Sequence, residues 1–168
     1  MKKAAKPSRH KKVVALLLNR TSVTGYVDPT GVGKSPVVDI LTTQGEHRAI
    51  NLEDIKSLYF VRDFEAPFEP EQKRFLSRPK LDGLWVRLRF RDEDVVEGMV
   101  SNNLLNLLDA GVQLTPPDLH GNTTRMFIPR SALLEMKVLG VVGVARRATK
   151  DSVAAGGTAA SQTNLFGE

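Results

Sequence analysis

An internal repeat is the sequence feature that most constrains the fold of this chain. Residues 13–27 align with residues 86–100 at an offset of 73, and residues 50–60 align with residues 128–138 at an offset of 78. Self-similarity on this scale indicates two copies of one small structural unit. The change of offset by five residues places a longer loop in the second copy.

The second copy shows the alternation of a half-buried β-strand. Val86, Leu88 and Phe90 alternate with arginines, and successive side chains of a strand point to opposite faces. Turn residues follow at positions 92–93 and again at positions 116–117. Five short strands with single helical turns, within about 60 residues, predict a small barrel. We therefore expect an all-β protein with two tandem Sm-like or SH3-like barrels.

Composition divides the chain into five segments. Residues 1–12 form a basic arm and residues 146–168 a tail rich in Ala, Gly, Ser and Thr; both are predicted to be disordered because they have too little apolar bulk to offset ordering. The barrels are expected at residues 13–61 and 84–145. A linker rich in Phe, Pro and charge, residues 62–83, is expected to pack onto a barrel through its phenylalanines.

The net charge of +5 is unevenly distributed. Residues 1–12 carry six cationic side chains, whereas residues 13–145 carry 15 Lys and Arg against 17 Asp and Glu. A phosphate-binding barrel should carry its own positive face, so nucleic-acid binding, with weak contact to DNA or RNA, is an alternative rather than the favoured function. The side chains it would use are Lys2, Lys3, Lys6, Arg9, Lys11 and Lys12 of the arm with Arg87, Arg89 and Arg91 of the alternating strand. Acidic neighbours of these arginines favour an ion-paired face instead.

Several classes of function lack the residues that they require. The chain has no cysteine and three scattered histidines, which argues against a metal site. The stretch from Asp28 to Ser35 resembles a P-loop, but Asp28 replaces the first glycine and a β-favouring segment follows where a phosphate-binding helix is needed. No catalytic group has suitable spacing, and no segment approaches the roughly 20 apolar residues of a membrane span. The chain is predicted to be a cytoplasmic non-enzyme without a metal or cofactor and without membrane contact.

The second copy also resembles a bacterial domain family of unknown function. The matching segments are Arg89-Phe90-Arg91-Asp92, Val96-Glu97-Gly98, Leu114-Thr115-Pro116-Pro117-Asp118, Phe127-Ile128-Pro129-Arg130-Ser131-Ala132 and Val138-Leu139-Gly140-Val141. The resemblance spans residues 12–143, and Glu93 departs from the family pattern, which has glycine there. Each half is also similar to Sm-like barrels, with Gly25 and Gly98 at the bend of the second strand. The Sm RNA-binding loop residues have no counterparts here.

The tail contains one peptide that is out of character with its surroundings. Gln162-Thr163-Asn164-Leu165-Phe166 resembles the Gln-x-x-Leu-Phe peptide with which bacterial replication and repair proteins bind the DNA sliding clamp. The Gln162 amide can donate and accept hydrogen bonds, and Leu165 and Phe166 can fill an apolar pocket. The favoured prediction is therefore a non-enzymatic adaptor tethered to the clamp. Besides nucleic-acid binding, the remaining alternative is a structural domain that oligomerises through open strand edges.

Overall fold

The computed structural model describes residues 9–67, 74–106 and 110–143, and these are mainly β-structure. The ten strands are β1 Lys11–Leu17, β2 Ser22–Val27, β3 Val37–Thr42, β4 His47–Asn51, β5 Ile55–Val61, β6 Gly83–Phe90, β7 Val95–Val100, β8 Gly111–Leu114, β9 Thr123–Pro129 and β10 Leu133–Val142. Short 3₁₀ turns lie at Leu52–Asp54, Leu104–Asn106 and Arg130–Ala132. The all-β prediction is confirmed. The basic arm proposed for residues 1–12 overlaps the start of β1, which begins at Lys11.

The strands form two antiparallel sheets. The larger sheet has the order β4-β3-β2-β1-β5-β9-β8, and the smaller one has the order β10-β6-β7. In the part of the chain that the structure describes, one bridge joins them, with Met99 N–H donating to the Thr115 carbonyl at 2.9 Å and Thr115 N–H donating to the Met99 carbonyl at 2.8 Å. Neither sheet closes within the described residues, so the closed barrels expected from the sequence are not found. The physical reason is that the second edge of β5 pairs with β9 of the other half, so β5 does not pair with another strand of its own half to close a barrel.

The first five and last five strands share one neighbour order. The order in the first half is β5-β1-β2-β3-β4, and the second half follows β10-β6-β7-β8-β9 when the bridge is included. The registers also agree, because Val13 lies opposite Gly25 and Val86 lies opposite Gly98. Sequence positions aligned at offsets of 73 and 78 therefore occupy equivalent places in the sheets.

Irregular features recur at equivalent places as well. The pairing of β1 with β5 skips Lys56, and the pairing of β6 with β10 skips Leu134, so each fifth strand has a bulge at the same position. Arg20 and Glu93 both adopt a positive φ, of 68° and 70°, in the first hairpin turn of each half. Glycine is favoured at such a φ, so the glycine that the resembled family pattern has at the position of Glu93 has a physical reason.

The β5–β9 pairing is the main joint between the halves. Leu58 lies opposite Phe127 and Tyr59 lies opposite Met126. Phe127 comes from the second half but packs in the first hydrophobic core, whereas Val14 and Tyr59 of the first half pack in the second core. Burying one such large side chain contributes roughly 1.5–3 kcal/mol. Each core therefore depends on residues from both halves.

Candidate functional site

The arginine face of β6 is occupied by protein partners. Arg89 Nη1 lies 3.1 Å from a Glu93 carboxylate oxygen, and Arg89 Nε lies 3.7 Å from Glu135 of β10. Arg91 Nε donates to the Ser131 carbonyl at 2.7 Å. The ion pairing expected for this face is thus present, and it connects β6 with the adjacent turn, with β10 and with the last 3₁₀ turn.

Glu97 is the centre of the strongest polar cluster. Glu97 is 2% exposed, and Arg87 donates to its Oε1 through Nε at 3.0 Å and through Nη2 at 2.7 Å. Oε2 accepts from Trp85 Nε1 at 3.3 Å and from the Phe75 N–H at 3.2 Å. Burial alone would raise the pKa of Glu97, but the bonds from Arg87, Phe75 and Trp85 outweigh it and hold the pKa below its ordinary value. The cluster fastens the linker onto β6 and β7.

The phenylalanines of the linker pack onto both halves. The Phe75 ring contacts Trp85 edge-to-face at 5.9 Å between centroids, and the Phe64 ring contacts Tyr26 in the same way at 5.4 Å. Offset and edge-to-face ring pairs are the favoured aromatic geometries. Phe68 lies outside the described residues.

Lys56 joins the two halves electrostatically. Its ammonium contacts Asp92 at 2.5 Å and also Asp94, both in the β6–β7 turn, and lies 5.0 Å from the centre of the Phe90 ring. Burial would lower the pKa of Lys56, yet the bonds to the two aspartates raise it above its ordinary value. For Asp92, burial would raise the pKa, but the bond and charge of Lys56 and backbone hydrogen bonds together outweigh burial and hold the pKa below its ordinary value. Asp92 and Asp94 therefore pair with Lys56 and not with the arginine strand.

The P-loop-like segment is a turn that precedes a strand. Asp28 Oδ1 accepts from the Thr30 N–H at 2.9 Å and from its hydroxyl at 2.7 Å. The hydrogen bond from the Thr30 hydroxyl is the main cause that lowers the pKa of Asp28. The chain then enters β3. Without a helix N-terminus, this loop lacks the N–H groups that cradle phosphates.

A polar groove between the halves was not foreseen from the sequence. It has a volume of about 730 Å³ and lies where the loop before β3 meets the 3₁₀ turns of both halves. Lys34 and Arg130 supply positive charge, Glu53 supplies negative charge, and Ser35 and Ser131 supply hydroxyls. The only sequence signal was the alignment of residues 50–60 with residues 128–138, which places the two turns at equivalent points. Such a groove can hold a small polar or anionic group.

A second groove lies along the linker and is more apolar. Its volume is about 460 Å³, and it runs from Arg74 to Leu81 beside the loop that follows β8. Leu76 and Leu119 line it and are exposed, together with the cationic Arg74, Arg78 and Lys80. This combination suits an extended apolar segment that carries negative charge.

Other predicted site residues have a more limited description. Lys12 Nζ lies 3.9 Å from Asp63 and 5.4 Å from the centre of the Phe64 ring, and Arg9 and Lys11 are exposed. The predicted site residues that lie outside the described part of the chain are Lys2, Lys3, Lys6, Gln162, Leu165 and Phe166.

The described residues contain neither a metal-binding cluster nor a membrane-spanning helix. In residues 9–67, 74–106 and 110–143, no group of three or more His, Cys, Asp or Glu side chains is placed to hold a metal ion. Within the same part of the chain, no helix has the length and apolar character needed to cross a membrane.

The fold and these surfaces define an all-β scaffold whose two halves share strand order, register and hydrophobic cores. The chain belongs to a family of unknown function, DUF6982, which matches residues 9–140. The predicted membership of an uncharacterised family is thus confirmed. No curated protein and no solved structure matches the chain.

Proposed function

We propose that this chain is a non-enzymatic adaptor that binds the bacterial DNA sliding clamp through Gln162, Leu165 and Phe166. The observation that carries the proposal is the Gln-x-x-Leu-Phe spacing within a tail otherwise made of small and polar residues. Leu165 and Phe166 together can contribute roughly 3–6 kcal/mol in an apolar pocket, before the cost of ordering the peptide. The Gln162 amide satisfies backbone donors and acceptors at the pocket rim.

The adaptor's scaffold is built from two copies of one Sm-like or SH3-like unit. Equal strand order, equal bulges at Lys56 and Leu134, and equal positive φ angles at Arg20 and Glu93 support this origin. Two unrelated β-units would have no reason to share irregular features at aligned positions. The scaffold presents the linker groove and the polar groove as surfaces for what the adaptor carries.

Isothermal titration calorimetry with purified clamp tests the proposal. Wild-type full-length chain is expected to bind at micromolar Kd, and the Leu165→Ala/Phe166→Ala variant is expected to bind at least 100-fold more weakly, since about 3 kcal/mol of burial is removed. Thr163→Ala/Asn164→Ala is the matched control, because the motif accepts any residue at these two positions, and its Kd should stay within about twofold. Absence of wild-type binding at millimolar concentration would exclude the clamp as partner.

Nucleic-acid binding is the second candidate, favoured by a specific observation. Lys34 and Arg130 face one groove with two serine hydroxyls, a donor set that suits a phosphate, while the basic arm adds salt-sensitive attraction. The test is fluorescence anisotropy with labelled single-stranded RNA and DNA at two salt concentrations. Lys34→Glu/Arg130→Glu should abolish binding if the groove is used. Charge reversal at Arg87, Arg89 and Arg91 should abolish it if the strand is used, and unchanged binding in both variants would refute both sites.

A further inference from the structure

The molecule contains one edge-to-edge joint between its halves. Within that joint, the fifth strand of the first half, β5, pairs with the fourth strand of the second half, β9. The equivalent strands that remain are β4, the fourth strand of the first half, and β10, the fifth strand of the second. Both end the described sheets, β4 at one end of the larger sheet and β10 at one end of the smaller. Within the described residues, the fold therefore leaves one further pair of edges of the same kind without a partner strand.

The free edge strand β10 has exposed apolar side chains at positions where the paired strand β5 has buried ones. Leu58 and Phe60 of β5 are buried, whereas Met136 and Val138 at the aligned positions of β10 are 40% and 50% exposed. Met136 and Val138 lie opposite Leu88 and Val86, both fully buried, so they share the core-facing side of the sheet. A ten-residue edge strand with an exposed apolar side is a template for pairing with another strand.

The β4 edge borders a recess of mixed character, in which leucines lie beside polar and charged residues, Asp54 and Arg48 among them. A groove of about 500 Å³ borders β4 and the β1–β2 turn, and Leu17, Leu18 and Ile50 are among its lining residues. Leu18 is 50% exposed. The recess thus lies beside the strand that the joint would use.

The contacts made by the two bulge residues have complementary chemistry. In the internal joint, Lys56 reaches the first hairpin turn of the other half, where its ammonium lies over the Phe90 ring and contacts Asp92 and Asp94. The bulge of β10 holds Leu134, which is apolar and exposed. The residue aligned with Phe90 in the first hairpin is Leu17. At the internal joint, the bulge residue is therefore a lysine that pairs with two aspartates. At the equivalent free edges, the bulge residue is a leucine, and the hairpin that corresponds to its partner presents leucines.

From this correspondence we propose that the chain assembles head to tail with further copies of itself, β10 of one copy pairing antiparallel with β4 of the next. Moving the internal register by the repeat offset of 78 places Met136 opposite Ala49 of the neighbouring copy, as Leu58 lies opposite Phe127 inside the molecule. Leu134 then enters the recess formed by Leu17 and Leu18. Because the two surfaces differ, the contact is heterologous, and its repetition gives a ring or a filament.

The same register places Lys137 opposite Arg48 of the next copy. This like-charge pair weakens the joint, although Glu135 lies 3.6 Å from Lys137 and offsets part of the repulsion. The proposed self-assembly does not use the clamp-binding peptide. Leu165→Ala/Phe166→Ala should therefore leave the assembly unchanged, so that the two proposals fail separately.

Cysteine cross-linking tests the register directly, because the chain has no cysteine of its own. Opposed residues in antiparallel strands have Cα atoms about 4.5–5.5 Å apart, within disulfide range. Oxidation of an equimolar mixture of full-length Ala49→Cys and Met136→Cys chains should give the mixed dimer. The control mixture of Met136→Cys with Leu119→Cys, which is exposed but away from both edges, should not cross-link. A disulfide between two Met136→Cys chains would instead establish a two-fold β10–β10 contact and overturn the proposal.

Sedimentation velocity tests the energetics of the joint. Wild-type chain should show a concentration-dependent increase in sedimentation coefficient, and Leu134→Ala should reduce it by removing the apolar side chain that packs on Leu17 and Leu18. Arg48→Glu should tighten association about fivefold, which corresponds to about 1 kcal/mol, by replacing the repulsion of Lys137 with attraction. Adding Lys137→Glu to that variant should return the affinity to near the wild-type value. A wild-type monomer at all concentrations, as when the chain's own residues 144–168 cover β10, would refute the assembly.

Discussion

Replacing Glu97 by glutamine should destabilise the second half strongly. Among the described residues, Glu97 is the one buried charged residue, and its two oxygens accept four hydrogen bonds from Arg87, Trp85 and the Phe75 amide. Glutamine has nearly the same shape, but one of its terminal groups is a donor that faces donors. The variant loses the charge and at least two of these bonds.

The magnitude follows from the partners that are left behind. A hydrogen bond to a charged group contributes about 1.5–3 kcal/mol, and an unpaired buried partner adds to the loss. Arg87 is 44% exposed at its side chain, so water replaces part of what it loses. We expect the free energy of unfolding to fall by about 2–4 kcal/mol.

The effect should depend on pH in a defined direction. The pKa of Glu97 is lowered in the folded protein from its ordinary value of 4.5, so its stabilisation is present above that value and is lost as pH falls through the folded pKa. The difference between wild type and Glu97→Gln should therefore be largest near neutral pH and should shrink well below pH 4.5.

Urea unfolding followed by tryptophan fluorescence measures this difference, because Trp85 is the single tryptophan and bonds to Glu97. Glu93→Gln is the control, since the exposed Glu93 pairs with Arg89 at the surface and should change stability by less than about 0.5 kcal/mol. A loss below about 1 kcal/mol for Glu97→Gln at neutral pH, or an equal loss at about pH 3, would refute the reasoning.

Three further substitutions probe the scaffold, each measured by urea unfolding. Gly98→Ala should cost about 2 kcal/mol or more, because its Cβ would lie 2.6 Å from the Thr115 carbonyl oxygen and 2.4 Å from Leu114 Cγ; Gly143→Ala, with open space, should be neutral, and equal effects would contradict the packing. Glu93→Gly should stabilise by up to about 1 kcal/mol, since it removes the strain of a positive φ, whereas Glu46→Gly should destabilise; a loss for Glu93→Gly would show that the turn is not strained. Lys56→Met removes the ammonium that contacts both aspartates and the Phe90 ring, so about 1 kcal/mol should be lost, and an unchanged stability would show that the contact does not hold the halves together.

The local structure of the second half could be read from its residue pattern. The alternation of Val86, Leu88 and Phe90 with arginines placed β6 correctly, and the repeat offset placed Gly25 and Gly98 at equivalent points. These features are local, because strand periodicity and turn residues act on neighbouring side chains. The close approach of Leu41 to Gly25 and of Leu114 to Gly98 gives the glycines a physical reason.

The joint between the halves could not be read in the same way. The sequence of β5 does not indicate that its free edge pairs with β9, because β9 and β4 offer equivalent backbone groups. Which strand pairs with β5 depends on how well the side chains of the two strands match. The sequence predicts that acidic neighbours pair with the arginine strand, whereas Asp92 and Asp94 pair with Lys56. Lys56 lies 36 and 38 residues away along the chain, so no local pattern indicates this contact.

The sequence by itself therefore determined the all-β class, the alternation along β6 and the paired charge of the arginine strand, because each is fixed by side chains close together along the chain. Only the tertiary structure decided that the sheets formed by the described residues stay open, that Phe127 enters the first core, and that β4 and β10 lie at the edges of those sheets. The reason is that backbone hydrogen bonds between strands are not specific to sequence. The choice of partner strand therefore depends on surfaces that exist only after both halves have folded.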